Sequence, residues 1–151
     1  NVLSHYMNAR HDVVDKYEPG DGVWNVDVVD FEPEAPYDLI LCLSTLEHVG
    51  WDETPRRPEK AVEAFAHLKD DCLAPGGTLL MTFPLAYNHA LDGFLREGRI
   101  AFDRRHLLRR TSPDNGWEEV PFEEIASARY DTDRPGPEMI LVGYVSTSPA
   151  S

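Results

Sequence analysis

Lysine is scarce in this chain of 151 residues: Lys16, Lys60 and Lys69 are the only three, and arginine supplies the other strongly basic side chains. Against 27 Asp and Glu the 14 Lys and Arg leave a formal net charge of −13 and a pI near 4.7. So acidic a surface repels polyanions, which excludes a general affinity for nucleic acid or anionic membrane surfaces. An Asp/Glu-rich, Lys-poor surface suits a salt-rich cytoplasm, and a base-composition bias toward arginine accounts for it equally. Cysteine is also rare. Cys42 and Cys72 sit inside apolar patterns with no CxxC spacing, which points to buried free thiols in a reducing compartment rather than a disulfide framework. No run approaches the roughly 18 consecutive apolar residues a bilayer span requires. No basic, apolar, then small-residue leader opens the sequence, so the expected setting is the cytoplasm without membrane insertion. The six histidines are scattered with no H-x-x-x-H, so no structural zinc is expected; a contribution of Glu47 and His48 to a catalytic divalent cation stays open, though no metal site is assigned.

Hydrophobic content of 42% and charged content of 27% are those of a globular chain, and the length suits one core. One domain is expected over residues 1–146, with a disordered tail over 147–151. Four apolar runs bounded by turn chemistry read as strands: HDVVD (11–15), VWNVDVV (23–29), YDLILCL (37–43) and GTLLMTF (77–83). Continuous hydrophobicity in the third and fourth predicts strands covered on both faces, as in parallel sheets. Between them Pro58 suits a first helical turn, Val62, Phe65, Ala66 and Leu73 recur at helical spacing, and Gly76-Gly77 ends the pattern where a left-handed cap is expected. Later, HLLRR and WEEV flank the turn TSPDNG as a hairpin, and residues 125–130 and 139–145 read as two more strands, an antiparallel pair at one sheet edge. The fold expected is α/β: a Rossmann-like, doubly wound, mostly parallel sheet with an antiparallel C-terminal strand pair.

Ligands of such sheets sit beyond the carboxyl ends of the strands. The residues just past each run are Asp15, Asp27, Leu43-Ser44 and the loop from Pro84 to Asn88. Acids at successive strand ends suit a nucleoside, one accepting from ribose hydroxyls and another from an exocyclic amine. The plain alternative is that each aspartate caps a helix or starts a turn. Glu47 and His48 follow the third run at once, and a histidine there suits proton transfer near neutral pH.

The run DLILCLSTLEHV resembles the fourth-strand motif of class I S-adenosylmethionine-dependent methyltransferases, and LKDDCLAPGGTLLMTFP resembles that family's next helix, Pro-Gly-Gly turn and fifth strand. The resemblance implies S-adenosylmethionine as cofactor. It places Asp15 on the ribose, Asp27 with Val28 on the adenine, and Leu43 with Ser44 facing the sulfonium. NVLSHYM resembles the end of the first motif, with Asn1 where its glycine-rich turn finishes. The family's central first strand is absent, so the chain is expected to be a fragment of a longer protein.

On this reading the acceptor is a small molecule or glycan, Glu47 and His48 are the catalytic candidates, and Tyr87, Asn88 and His89 touch the acceptor. The arginine-rich AFDRRHLLRR (101–110) either receives an anionic acceptor or pairs with neighbouring acids. Two other functions stay open: a degenerate or truncated domain without catalysis, and an NAD-binding domain, which shares the ribose acid but fits LEHV poorly.

Overall fold

Residues 11–130 and 136–149 are described by the computed structural model, and the chain divides into two units, Asn1–Pro33 and Glu34–Ser151, each taken here by itself.

In the first unit, β1 (Val13–Val14) pairs in parallel with β2 (Val23–Trp24). The connecting loop closes on itself: the Asn25 amide donates to the Asp15 carbonyl at 2.8 Å and to the Glu18 carbonyl at 3.0 Å. Both strands are shorter than their apolar runs. The second run does not continue through Asp27, because Val28–Asp30 is a 3-10 turn whose N-cap is Asp27. The Asp27 carboxylate accepts from the Val29 amide at 3.3 Å, and that local bond competes with extended backbone.

The second unit carries a five-stranded mixed sheet and two helices. Its strands are β3 (Tyr37–Leu43), β4 (Leu73–Pro84), β5 (Arg104–Arg110), β6 (Trp117–Val120) and β7 (Met139–Ser146), in the order β3-β4-β7-β5-β6. The pair β3-β4 is parallel; β4-β7, β7-β5 and β5-β6 are antiparallel. The α/β class, the parallel crossover and the antiparallel C-terminal strands are as the sequence predicts. Thus β7 lies inside the sheet, and the expected hairpin β5-β6 forms its edge.

A parallel pair needs a crossover, and here it contains α1 (Lys60–Asp70). The buried stripe of α1 is Ala61, Ala64, Phe65 and Leu68, one residue around from the predicted face, which leaves Ala66 exposed. The helix ends at Asp71, in ordinary helical conformation, not at the glycines. Instead β4 begins at Leu73 and the Pro-Gly-Gly sequence forms a bulge inside it: Tyr37 aligns with Leu73 but Leu39 with Thr78. Gly76 takes φ of +83° there, a conformation side chains rarely adopt. Thr147, where the pattern places the start of a disordered tail, fastens this bulge. Its hydroxyl donates to the Ala74 carbonyl at 2.6 Å and accepts from the Gly77 amide at 3.1 Å.

Strand β4 buries Leu79, Met81 and Phe83 on one face, and β7 buries Met139, Leu141 and Val145. Phe102 joins the layers, its ring meeting Phe65 of α1 at 5.5 Å and Phe83 at 6.5 Å. Each such apolar side chain contributes about 1.5–3 kcal/mol of burial. The opposite face is half-buried, with Leu80, Thr82, Val142 and Tyr144. Two-sided coverage therefore fails for β3 and β4. Leu39 and Leu43 are 44% and 47% exposed, and β3 is paired on one side only among the described residues. Residues 125–130 are not a strand either. A 3-10 turn over Phe122–Ser127 takes their place, with the Ser127 hydroxyl donating back to the Glu124 carbonyl at 2.8 Å.

Candidate functional site

Parallel strands β3 and β4 release the chain at the same end of the sheet, and two loops meet there. The last rung of the pair is the Ser44 amide donating to the Thr82 carbonyl at 2.7 Å. Ser44 then takes φ of +50°, which turns the chain sharply out of the strand. Residues 45–52 form consecutive turns, with the His48 amide bonded to the Thr45 carbonyl at 3.0 Å and the Trp51 amide to the His48 carbonyl at 3.0 Å. Gly50 lets the loop fold back: at φ of +68°, an added Cβ would lie 2.0 Å from the Arg57 carbonyl oxygen. Behind it the Lys60 ammonium, almost wholly buried, spans both oxygens of Glu53 at 2.7 Å each and ties the loop to α1.

The second loop follows β4. Ala86 has φ of +63°, and its amide donates to Asp92 Oδ2 at 2.9 Å. Asn88 caps α2 (His89–Arg96), its Oδ1 accepting from the Leu91 amide at 3.0 Å. Its other side-chain group crosses to the first loop and donates to the Glu47 carbonyl at 2.9 Å. Buried Asn88 is therefore a strut between the loops, with one amide hydrogen and its carbonyl oxygen already engaged.

The ionisable groups gather around that strut. Glu47 is 1% exposed, and its Oε2 has no hydrogen-bond partner among the described residues. Burial pushes its carboxyl up to about 7; a hydrogen bond from its own backbone amide and the His48 charge pull the other way, and Asp52 adds to the rise. Asp52 shows the opposite balance. Burial acts to raise it, but hydrogen bonds from Tyr87 and His48 outweigh that and hold it below the usual carboxylate range. The Tyr87 hydroxyl donates to Asp52 Oδ2 at 2.6 Å, and His48 Nδ1 lies 2.5 Å from the same oxygen. Because Asp52 is ionised it can only accept, so the Nδ1 proton resides on His48. His48 Nε2 then faces Glu47 Oε1 at 3.7 Å, too far for a hydrogen bond. Burial, followed by the bond to Asp52, lifts the Tyr87 hydroxyl to about 12. Burial and then the Glu47 charge lift the Cys42 thiol to about 12, so this free cysteine stays protonated.

Of the predicted catalytic and acceptor residues, the structure brings Glu47, His48, Tyr87 and Asn88 into one cluster. His89 lies at its margin, its ring 6.5 Å from Trp51. Leu43 and Ser44 are exposed at the mouth of the parallel pair. In the first unit, Asp15 Oδ1 accepts from the Tyr17 and Glu18 amides at 2.8 Å each, a turn-capping role, while no bond to Oδ2 is formed within the described residues. Asp27 caps Val28–Asp30 and binds Lys16 at 2.7 Å. Asn1 lies outside the described residues. Sequence reasoning missed Asp52 and Asp92. The first carried a signal, the i, i+4 spacing of His48 and Asp52; the second is an acid among Leu91, Phe94 and Leu95 in an amphipathic helix.

Three of the four arginines of β5 settle on neighbours. Arg109 pairs with Glu118 and Glu124, Arg105 lies over the Phe122 ring at 3.3 Å and Arg110 over Trp117 at 5.1 Å. Among the described residues no three His, Cys, Asp or Glu side chains gather as a metal site, and no helix is long and apolar enough to cross a membrane.

No family model matches this sequence, and no curated protein does. Among solved structures it is similar to the N-methyltransferase NodS from Bradyrhizobium japonicum WM9, at 15% identity over 83% of this chain and 59% of that one, with a TM-score of 0.41. The same enzyme in complex with S-adenosyl-L-homocysteine gives 14%, 83%, 54% and 0.42. The sugar N-methyltransferase KedS8 from Streptoalloteichus sp ATCC 53650 gives 12%, 85%, 62% and 0.36. The chain thus spans less than two thirds of the length of each. Likenesses this distant do not bear on mechanism.

Proposed function

We propose that the chain is a methyltransferase-type domain that binds S-adenosylmethionine and methylates a small-molecule or glycan acceptor. The observation that carries the reading is Glu47: a buried carboxyl with a free oxygen and a pKa near 7, placed where two parallel strands end. A general base is most useful when its pKa lies close to the working pH. The resemblance of LEHV to the methyltransferase fourth-strand motif supports the cofactor class, and the sharp exit at Ser44 leaves the open strand end that such a cofactor needs.

Within the first unit, the free oxygen of Asp15 suits a ribose hydroxyl, and the Val28 backbone beside Asp27 suits the adenine edge. Asp27 is the poorer fit, since Val29 and Lys16 already occupy its oxygens. Within the second unit, Leu43 and Ser44 are assigned to the methionine side. The cofactor, when bound, supplies an electrophilic methyl group. The protein's own task is then to hold the acceptor in line and to receive the proton that the acceptor amine or hydroxyl loses. Glu47 Oε2 receives that proton. His48, 51% exposed on its side chain and oriented by Asp52, is a positioning residue that moderates Glu47 by its charge. Asn88 holds the loop that carries both.

Transfer of label from methyl-labelled S-adenosylmethionine to a panel of small amines and hydroxy compounds tests this. Transfer should rise with pH through about 7 and fall by about 10²–10⁴ in Glu47→Gln. Undiminished transfer by that variant would remove Glu47 from the chemistry.

A further inference from the structure

Behind the catalytic cluster lies a second polar feature that the methyl-transfer reading does not use. A cleft of about 400 Å³ opens between α2 and the 3-10 turn Phe122–Ser127 with the residues that follow it, within the range of about 300–1,000 Å³ usual for small-molecule sites. Its polar walls are Asp92, Arg96, Arg129 and His89, and its apolar walls include Ile125 and Ala128. Tyr130 closes one side. The Tyr130 ring meets that of Tyr87 at 5.1 Å, and Tyr87 in turn meets His48 at 5.0 Å, so the cleft and the cluster share a wall.

Asp92 is what marks the cleft as a site. It is 6% exposed, and while Oδ2 accepts from the Ala86 amide, buried Oδ1 has no partner among the described residues. An orphaned buried carboxylate oxygen costs about 1–3 kcal/mol and calls for a hydrogen-bond donor. Burial lifts the Asp92 carboxyl above its usual range, while the Ala86 bond and the charges of Arg96 and His89 draw it back. Arg96 makes no hydrogen bond or ion pair with any described residue. Arg129 is held in place, its Nη1 donating to the Ser127 and Ala128 carbonyls at 3.1 and 2.9 Å.

Counting fixed charges, one carboxylate faces two guanidinium groups, so the cleft is cationic inside a chain that is strongly anionic. We infer that this cleft binds a hydroxylated monocarboxylate of the sugar-acid class, a ligand hydroxyl donating to Asp92 Oδ1 and its carboxylate paired with Arg96 and Arg129. Apolar Ile125 and Ala128 with the Tyr130 ring offer a surface for the C–H face of such a ring. A guanidinium fork pairs with a carboxylate through two parallel hydrogen bonds, which sets orientation as well as affinity. The ligand's role as methyl acceptor rests on the reading above; its binding does not.

The test is calorimetric titration of the full chain with glucuronate, glucose and glucosamine, without cofactor. Glucuronate should bind, glucosamine should bind at least about tenfold more weakly, and Arg96→Gln should weaken glucuronate by about tenfold, the value of one charged hydrogen bond. Arg96 is exposed, so this variant should melt as the parent does; Asp92→Asn serves as a second variant and should also weaken binding. No glucuronate binding, equal binding by Arg96→Gln, or tighter binding of glucosamine would each overturn the inference. Failure here with S-adenosylhomocysteine still bound would remove the cleft alone. Glucuronate binding without S-adenosylhomocysteine binding would keep the cleft and remove its acceptor role.

Discussion

Replacing Glu47 by glutamine removes one titrating proton from the interior and leaves the side chain nearly the same size. In the parent, burial lifts the carboxyl to about 7 from an ordinary value of 4.5. Below about pH 4.5 both folded and unfolded forms are protonated, and the group does not affect stability. Between about 4.5 and 7 the unfolded chain ionises while the folded one stays protonated, so stability falls as pH rises. Above about 7 both are ionised and the loss is complete. A rise from 4.5 to about 7 corresponds to roughly 3 kcal/mol, at about 1.4 kcal/mol for each pH unit. Glutamine does not titrate, so Glu47→Gln should lack this slope. Urea unfolding of parent and variant at intervals from pH 4 to 8 measures it. The stability of the variant relative to the parent should climb by about 2–3 kcal/mol across that range and then level off. Two curves that run parallel from pH 4 to 8 would refute the claim that Glu47 is a desolvated acid, and with it the case for a base near neutrality.

Asn88→Ala cuts the strut between the loops and leaves a buried backbone carbonyl and a helix N-terminus without their partner. Urea unfolding should show a loss of about 2–4 kcal/mol, and the pH slope assigned to Glu47 should flatten as water reaches the carboxyl. Lys60→Met leaves Glu53 without its buried counter-charge, and thermal melting should reveal a loss of about 3–5 kcal/mol; exchanging both partners for apolar residues should recover much of it.

The parts of the fold legible in the sequence were those whose signal is local and dense. The β3 run is seven residues long between turn residues, and the β5-β6 hairpin announces itself through Pro113, Asp114, Asn115 and Gly116. What misled was a choice between two local partners. Asp27 reads as part of a strand until its carboxylate is seen to cap Val29, and residues 125–130 alternate like a strand until Ser127 bonds back to Glu124. The Pro-Gly-Gly sequence carries the chemistry of a helix end, yet it serves as a bulge because Thr147, 70 positions further along, satisfies its backbone. No window of sequence contains that partner.

The site divides the same way. Glu47 and His48 stand out in the sequence because they follow the strand directly. What makes Glu47 unusual is burial and the lack of a partner for Oε2, set by the fold rather than by spacing. Tyr87 and Asn88 also have structural roles the sequence does not show: one fixes Asp52 and the other joins two loops.

Calorimetric titration of this chain with S-adenosylhomocysteine, with NAD as the comparison ligand, tests the central claim most directly. Saturable binding of S-adenosylhomocysteine that weakens in Asp15→Ala, with no binding of NAD, is the predicted result. Binding of NAD instead, or of neither, would contradict the account.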